Sequence, residues 1–363
     1  MKRKIFVVLV ILVAGLYLSY VGHASEFTRA GFNMNTLINM KIYSDTDKPL
    51  NDAYNLLAEL DAKLSMYNPE SEIGKINSQA GHKKFNADSK VIEVIKDSLR
   101  VNEMSEGVFN PLIGSITRLW KINKADNKIP SREELDAAIK LSDISNLELD
   151  DNGVYLKHEG CVLDLGGIAK GYASTKIAEL LKSEGVESGL IDLGGNVQVI
   201  GKKPDGSNWN IGVRDPLNTR GAPALALSVN DTAVITSGNY ERYKIVDGKK
   251  YSHFFDYKTG ESILNDLLSV TVITPDGSLA DGLATAFMAA GYERSLELLK
   301  NVPENVGVIF IRQGEGENLN IIATKNLMNV IIQNKSLRHF VEYVENSFSS
   351  SLVAMPFFSC FTK

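Results

Sequence analysis

The sequence predicts an α+β fold built of mixed antiparallel sheets with packed helices. From residue 153 onward, short apolar runs of strand length alternate with turn residues. Two helical patterns, at 168–184 and 279–290, interrupt these strands without the regular alternation that a parallel α/β sheet requires. The chain of 363 residues is 44% hydrophobic, which is ample for a sizeable core in one large domain or two.

The elements before residue 153 follow from helix signals and one apolar run. A strand is expected at 32–43 and an amphipathic helix at 50–64, where leucines recur at helical spacing. Ser89 is suited to cap a second helix, and Ser131 with Glu134 forms a capping-box pattern at the start of a third. The later strands are expected at 153–157, 161–165, 188–192, 196–201, 209–214, 224–230, 233–236, 242–246, 269–274 and 306–311.

Charge and cysteine usage exclude some classes of function. The net charge is −5 and the basic residues form no stripe, so a nucleic-acid surface is not expected. Cys161 and Cys360 lie too far apart in sequence to indicate a disulfide framework. Cys161 starts an apolar run and is expected to be a buried, reduced thiol.

The first 24 residues have the pattern of a signal peptide or an N-terminal membrane anchor. Three basic residues at 2–4 precede an apolar run at 5–21, and small residues follow at 22–24. A run of this length is at the lower limit for a spanning helix, and the alternative is a buried core helix. No cysteine follows the run, which excludes a lipoprotein anchor. We therefore expect residues 25 onward at the extracytoplasmic face of the cell membrane, anchored or exported.

The segment 162–173 predicts a strand that runs into a glycine turn and then a helix. Gly166 and Gly167 permit close backbone approach, and Lys170 falls in the first helical turn. The N-terminus of a helix binds anions, and a lysine there adds a full positive charge. Gly185 is suited to the C-terminal cap of this helix. The alternative is an ordinary tight turn with Lys170 on a solvated face, and the pattern differs from a P-loop.

This segment belongs to a set of motifs that occur in a characteristic order. They are LSMYNPESEI at 64–73, GVFNP at 107–111, LW at 119–120, DLGGIAKG at 164–171, IDLGGN at 191–196, AVITSGNYER at 233–242, YSHFFDYKTG at 251–260 and LADGLATAF at 279–287. In order, spacing and residue choice the chain resembles the ApbE family of flavin transferases over residues 30–335. The resemblance implies an ApbE-like (T-fold-related) α+β domain, and it leaves the tail at 347–363 unassigned.

Asp281 and Thr285 are the candidate ligands of a metal ion. They lie four residues apart in a predicted helix and therefore share one face. A carboxylate and a hydroxyl on one face suit a hard cation, whereas the alternative is that Asp281 caps the helix and Thr285 packs in the core. The resemblance implies Mg²⁺ at these two residues, with help from the backbone carbonyl of Gly167.

The resemblance also assigns residues to FAD and to catalysis. His253 could act as an acid or base or hold a phosphate oxygen, although it could equally be a satisfied structural group. His253 and Asp281 are the candidate catalytic residues. The candidate FAD contacts are Met34, Tyr67, Val108, Phe109, Asn110, Asp164, Lys170 and Phe254. The chain departs from the family pattern at Asn35, Asn110 and Thr175.

The function that the resemblance implies is that of an FAD:protein FMN transferase. Such an enzyme uses Mg²⁺ to transfer FMN from FAD, its substrate, to a threonine hydroxyl of an acceptor flavoprotein, and it releases AMP. Acceptors present a Ser/Thr-Gly-Ala-Thr-like segment, which this chain lacks. The expected partners are FAD, this acceptor and the cytoplasmic membrane through the N-terminus. Two alternatives remain: a Mg²⁺-dependent FAD pyrophosphatase giving FMN and AMP, and a non-catalytic flavin-binding protein.

Overall fold

A computed structural model describes residues 24–122, 128–217, 223–240, 242–314, 318–332 and 341–346. The segment 1–23 and the tail from residue 347 lie outside the described residues, as do the predictions made for them. In the part that is described, no helix is long and apolar enough to cross a membrane.

The helices lie mainly on one side of a large sheet. They are α1 (Lys48–Leu64), α2 (Glu72–Ser78), α3 (Ser89–Met104), α4 (Gly114–Trp120), α5 (Arg132–Leu141), α6 (Ala169–Ser183), α7 (Gly277–Ala290) and α8 (Tyr292–Leu298). Short 3-10 turns occur at Ile144–Asn146, Leu299–Asn301 and Lys325–Leu327.

The strands form four sheets within the described residues. They are β1 (Ser25–Asn33), β2 (Thr36–Ser44), β3 (Leu147–Asp150), β4 (Gly153–Leu156), β5 (Ser188–Leu193), β6 (Asn196–Ile200), β7 (Trp209–Val213), β8 (Leu225–Val229), β9 (Ala233–Gly238), β10 (Tyr243–Val246), β11 (Lys249–Ser252), β12 (Leu267–Thr274), β13 (Gly307–Gln313), β14 (Leu319–Thr324), β15 (Ile331–Ile332) and β16 (Val341–Val344). The main sheet has the order β1-β2-β5-β6-β9-β12-β13-β14-β16, and only β14 and β16 pair in parallel. Sheets of order β15-β8-β7, β10-β11 and β3-β4 complete the set.

The two faces of the main sheet are covered differently. Helices α6 and α7 pack on one face, where Ile191, Ile235 and Leu283 belong to the larger core. The three-stranded sheet covers the other face with a second core that contains Trp209 and Ile309. The predicted α+β class, with antiparallel sheets and packed helices, is therefore confirmed.

Two predicted strands are wrong. The run at 32–43 is a hairpin rather than one strand, because Met34 and Asn35 form a two-residue turn with φ of 47° and 61°. The run at 161–165 forms no strand and joins no sheet. Leu163 bonds a side chain instead, since Asn77 Nδ2 donates to Leu163 O at 3.0 Å and Leu163 N donates to Asn77 Oδ1 at 2.7 Å. The neighbouring Asp164 N donates to the carbonyl of Pro111, which belongs to a loop.

The helix caps predicted from the sequence can be compared with those in the structure. The capping box of Ser131 and Glu134 is confirmed, and Gly185 follows α6 with a φ of 84° as predicted. Ser89 is wrong as a cap, since the side chain of Asp88 accepts the hydrogen bond from Lys90 N. The short helices α2, α4 and α8 and the strands β3, β11 and β14 to β16 carry too little periodicity to be predicted.

The short connection from α6 to β5 determines where the functional residues gather. Since α6 ends at Ser183 and β5 begins at Ser188, the N-terminus of α6 lies at the end of the sheet where β5 finishes. In this antiparallel arrangement β6 begins and β9 finishes at the same end. The glycine turn at 166–167 therefore lies beside the end of the main sheet.

Candidate active site

The glycine turn is held against the loop at 109–111. Asp164 N donates to Pro111 O at 2.8 Å, and Gly166 N donates to Asp164 Oδ1 at 2.8 Å. The ring of Phe109 is buried and packs closely against Gly167, since a Cβ at Gly167 would come within 3.2 Å of Phe109 Cε2. These contacts fix the backbone just before α6, with Lys170 in its first turn as predicted.

Helices α6 and α7 approach closely at Gly171. A Cβ at Gly171 would lie 2.0 Å from Gly277 O and 2.6 Å from Asp281 Cβ, so only glycine fits there. Gly171 N donates to Asp281 Oδ2 at 2.9 Å. Thr175 reinforces the contact, since its Oγ1 accepts a hydrogen bond from Gly277 N at 2.9 Å. Thr175 is a position where the chain departs from the family pattern, and its side chain still provides a hydrogen-bond acceptor between the helices.

Asp281, Thr285 and Gly167 form an oxygen cluster between these helices. Thr285 Oγ1 donates to Gly167 O at 3.2 Å, and Asp281 is only 2% exposed. Asp276 caps α7, which excludes a capping role for Asp281. No group of three or more His, Cys, Asp or Glu side chains placed to bind a metal occurs in the described ranges. One carboxylate, one hydroxyl and one carbonyl nevertheless match the donor set of Mg²⁺, which leaves further positions to substrate oxygens.

Arg118 and Arg242 lie close enough to Asp164 for their charges to act on it. Burial raises the pKa of its carboxyl above the usual range, while Gly166 N, Thr117 and the charges of Arg118 and Arg242 act in the opposite direction. Arg118 carries no motif signal, because it comes from α4 and approaches Asp164 only through the tertiary fold. Arg242, the last residue of the 233–242 motif, also lies close enough for its charge to act on this carboxylate.

Tyr67 stands at the edge of the same group. Its side chain is 65% exposed, which makes it one of the most exposed aromatic residues in the described chain. Partial burial of the phenol raises the pKa of Tyr67, the charge of Asp164 raises it further, and Arg242 and Arg118 lower it. The structure therefore brings Tyr67, Asp164, Arg118 and Arg242 to one site.

His253 is held as a neutral base. Its Nδ1 lies 3.0 Å from Arg242 O, and its ring contacts Phe254 with a centroid distance of 4.2 Å. Burial lowers the pKa of His253 to about 4; the nearby charges of Arg242 and Lys170 lower it too, against the contact with the Arg242 carbonyl. Because a carbonyl requires a donor, Nδ1 carries the proton and Nε2 has a free lone pair. This protonation state suits proton abstraction rather than cationic binding of a phosphate.

The remaining candidate FAD contacts differ in where they lie and in what their side chains bind. Met34 lies at the tip of the β1–β2 hairpin, where its N–H donates to Asp61 Oδ2 at 3.3 Å. Both ends of the Asn110 side chain bind the protein, since Nδ2 donates to Ser142 O and Oδ1 accepts from Leu112 N. Val108 packs against the main core in the turn before Phe109, and Phe254 is 6% exposed beneath His253. The Asn110 side chain is therefore held by the protein at both ends.

Comparison with known proteins identifies the family of the chain. The model of the ApbE family matches residues 34–310. An FAD:protein FMN transferase of Treponema pallidum is 34% identical over 306 residues, which cover 79% of this chain and 84% of that protein. One from Klebsiella pneumoniae is 31% identical over 280 residues, with 77% and 86% covered.

Solved structures give the same result. The flavin transferase ApbE from Vibrio cholerae superposes with a TM-score of 0.76 at 27% identity, covering 85% of this chain and 99% of that one. The apo flavinyl transferase ApbE of Pseudomonas stutzeri also superposes with a TM-score of 0.76 at 27% identity, covering 85% and 98%. The predicted ApbE-like architecture is therefore confirmed, and the chain belongs to the ApbE family.

Proposed function

We propose that this protein transfers FMN from FAD to a threonine hydroxyl of an acceptor flavoprotein and releases AMP. The observation that carries the proposal is the oxygen cluster of Asp281, Thr285 and Gly167, which lies beside the N-terminus of α6 and in which Asp281 is buried. Lys170 and the helix N-terminus add positive charge where a pyrophosphate would lie. The names of the relatives support flavin transfer as the reaction class.

The reaction balances with the groups that this site offers. The threonine oxygen forms a bond to the phosphorus of the FMN half, and the bond from that phosphorus to the bridging oxygen breaks. AMP leaves with the bridging oxygen and its electron pair. His253 Nε2 accepts the threonine proton, which its neutral state permits at ordinary pH.

The residues of the chain have separate tasks in this reaction. Asp281, Thr285 and the Gly167 carbonyl would hold Mg²⁺, which supplies charge neutralisation for the pyrophosphate when bound. Lys170 offsets further negative charge, and Arg118 and Arg242 orient Asp164 to accept hydrogen bonds from the dinucleotide. Phosphoryl transfer depends mainly on such positioning and charge stabilisation.

Cellular placement is part of the proposal. The basic start and apolar run of the first 24 residues support a signal peptide or anchor, with the domain at 30–335 on the extracytoplasmic side. The expected acceptor is a flavoprotein that presents a Ser/Thr-Gly-Ala-Thr-like segment on that side.

One experiment separates this function from the alternatives. An acceptor peptide with a Ser-Gly-Ala-Thr core is incubated with the protein, FAD and Mg²⁺, and the products are identified by mass spectrometry. We expect the peptide to gain the mass of FMN at threonine while AMP accumulates. Free FMN without labelled peptide would indicate a pyrophosphatase, and intact FAD would indicate a binding protein.

The pyrophosphatase is the second candidate, and the exposure of Tyr67 favours it. With 65% of its side chain exposed, Tyr67 leaves the site open to water in the absence of ligand. Water would then compete with the threonine hydroxyl for the same phosphorus. The transferase requires the aromatic ring to limit this access when FAD is bound.

A further inference from the structure

The hairpin of β10 and β11 emerges directly from the candidate site. Arg242 and His253 flank it, and the contact of His253 Nδ1 with Arg242 O at 3.0 Å closes its base. A two-residue turn closes the far end, where Asp247 and Gly248 have φ of 49° and 76°. This hairpin is therefore a continuous surface that leads away from the proposed base.

The inner face of the hairpin is fixed to the body of the protein. Lys244 is 8% exposed, and its ammonium group donates to Trp120 O at 2.8 Å and to Lys128 O at 2.6 Å. The ring of Tyr251 lies 5.3 Å from that of Trp120, which is fully buried. The hairpin is thus a firmly seated element, and its outer face has a defined orientation.

The outer face combines apolar and basic side chains. Tyr243 is 46% exposed and Ile245 is 59% exposed, and both point away from the core because the strand alternates exposed and buried residues. Lys250 lies opposite Ile245, with its ammonium 4.5 Å from the centre of the Tyr243 ring. Ile245 is three residues beyond Arg242, so this face extends about 10 Å from the site.

The charge of the hairpin is opposite to that of the whole chain. Residues 242–252 contain Arg242, three lysines and one aspartate, a net charge of +3, whereas the chain carries −5. Neither Lys249 nor Lys250 forms an ion pair within the residues that the structure describes; each lies over a tyrosine ring. These charges are available to a partner that approaches the site.

We propose that the outer face of this hairpin docks the acceptor protein through an acidic segment that also presents an apolar side chain. Carboxylates of the acceptor would pair with Lys250 on this face and with the exposed Lys249, which lies on the opposite face beside the turn, at the edge of the docking surface. The apolar side chain of the acceptor would cover Tyr243 and Ile245. Docking there places an adjoining threonine next to His253 and Arg242. The inference rests on the proposed function, since it supplies the partner of that same site.

An anionic lipid surface would satisfy the same charges, but the position of the hairpin favours a protein. Its outer face begins at Arg242, so a flat membrane lying on it would cover the entrance to the site. A narrow acidic segment can occupy this face and still leave room for FAD. Lipid binding is therefore treated as an outcome that overturns the proposal.

The test measures peptide binding by the full-length protein, independently of catalysis. Two fluorescent peptides share a Ser-Gly-Ala-Thr core; one has Asp, Glu and Leu in its flanks, and the other has Asn, Gln and Leu. By fluorescence anisotropy, we expect the wild type to bind the acidic peptide about tenfold more tightly. Lys249→Glu with Lys250→Glu should remove this preference, and Tyr243→Ser with Ile245→Ser should weaken binding of both peptides.

Matched controls sit elsewhere on the surface. Lys202→Glu with Lys203→Glu changes two adjacent lysines after β6, away from the site, and Met328→Ser removes an apolar side chain that is 46% exposed. Both controls should bind the peptides like the wild type, and every variant should bind FAD normally. Equal affinity for the two peptides, or equal losses in the controls, would overturn the docking site.

Two further outcomes are decisive. Lys249→Glu with Lys250→Glu could weaken the binding of phosphatidylglycerol vesicles and leave the binding of the acidic peptide unchanged. In that case the face is a lipid surface and the proposal is wrong. Peptide selectivity without any FMN transfer would support docking while refuting the proposed reaction. FMN transfer without a difference in affinity between the two peptides would support the proposed reaction while refuting the docking site.

Discussion

Replacement of Asp281 is the sharpest test of the oxygen cluster. In Asp281→Ala the amide of Gly171 loses its acceptor at 2.9 Å in a buried position, which costs about 1–3 kcal/mol of stability. Asp281→Asn retains an oxygen for that amide and changes only the charge, so its stability should stay close to that of the wild type. The pair therefore separates the loss of a carboxylate from the loss of a structural hydrogen bond.

Both variants should lose FMN transfer. Loss of a preorganised electrostatic group typically lowers kcat by about 10²–10³-fold, and here the carboxylate also contributes to Mg²⁺ affinity. The assay is the rate of FMN attachment to the Ser-Gly-Ala-Thr peptide at increasing Mg²⁺, together with the shift in unfolding temperature that Mg²⁺ produces. The wild type should be stabilised by Mg²⁺ in the presence of FAD, and Asp281→Asn should not be.

The Asp281→Asn variant distinguishes a metal-binding role of Asp281 from a structural one. If Asp281→Asn transfers FMN at the wild-type rate with the same Mg²⁺ dependence, the carboxylate holds no metal and the reasoning from the oxygen cluster is refuted. If only Asp281→Ala is inactive and it is also unfolded, the role of Asp281 is structural.

Further predictions concern four other features. Tyr67→Asn should raise the ratio of free FMN to labelled peptide, because a smaller side chain admits water; an unchanged ratio would remove Tyr67 from this role. His253 has a folded pKa of about 4, below its ordinary 6.5, so it remains a neutral base until the pH falls through about 4. The acid limb of kcat/KM for free enzyme should therefore lie near 4 and vanish in His253→Asn, and a limb near 6.5 would contradict this. Gly171→Ala should destabilise the fold by about 1–3 kcal/mol in urea unfolding, because its methyl group would collide with Gly277 O; wild-type stability would show that the helices can separate without cost. A C-terminal reporter that is active only outside the cytoplasm should be active in cells, and activity of a cytoplasm-only reporter would contradict the proposed export.

Regular local patterns account for what could be predicted from the sequence. A spacing of four residues placed Asp281 and Thr285 on one helical face, and the structure has both on α7. The capping box at Ser131 and the glycine after α6 are equally local, since each depends on hydrogen bonds within a few residues. Such signals survive folding because tertiary contacts rarely oppose them.

The errors arise where distant residues or unusual backbone angles decide the structure. The β1–β2 hairpin was missed because Met34, at a φ of 47°, is not a residue that normally marks a turn. Leu163 exchanges both of its backbone hydrogen bonds with the side chain of Asn77, which lies 86 residues earlier in the chain. Arg118 reaches Asp164 in the same way, and no spacing within one segment could reveal it.

The close contact of α6 and α7 gives the proposed metal and phosphate site a preorganised framework. Gly171 both permits the approach of the helices and donates to Asp281, so the orientation of this carboxylate depends on the same helix that presents Lys170. Two packed helices resist displacement more than loops do, since moving either one would break buried contacts. Tyr67, by contrast, lies in a connecting segment and is largely exposed. The side of the site proposed for the pyrophosphate is therefore the rigid part, and under the proposed function the adjustment that excludes water comes from the side of Tyr67.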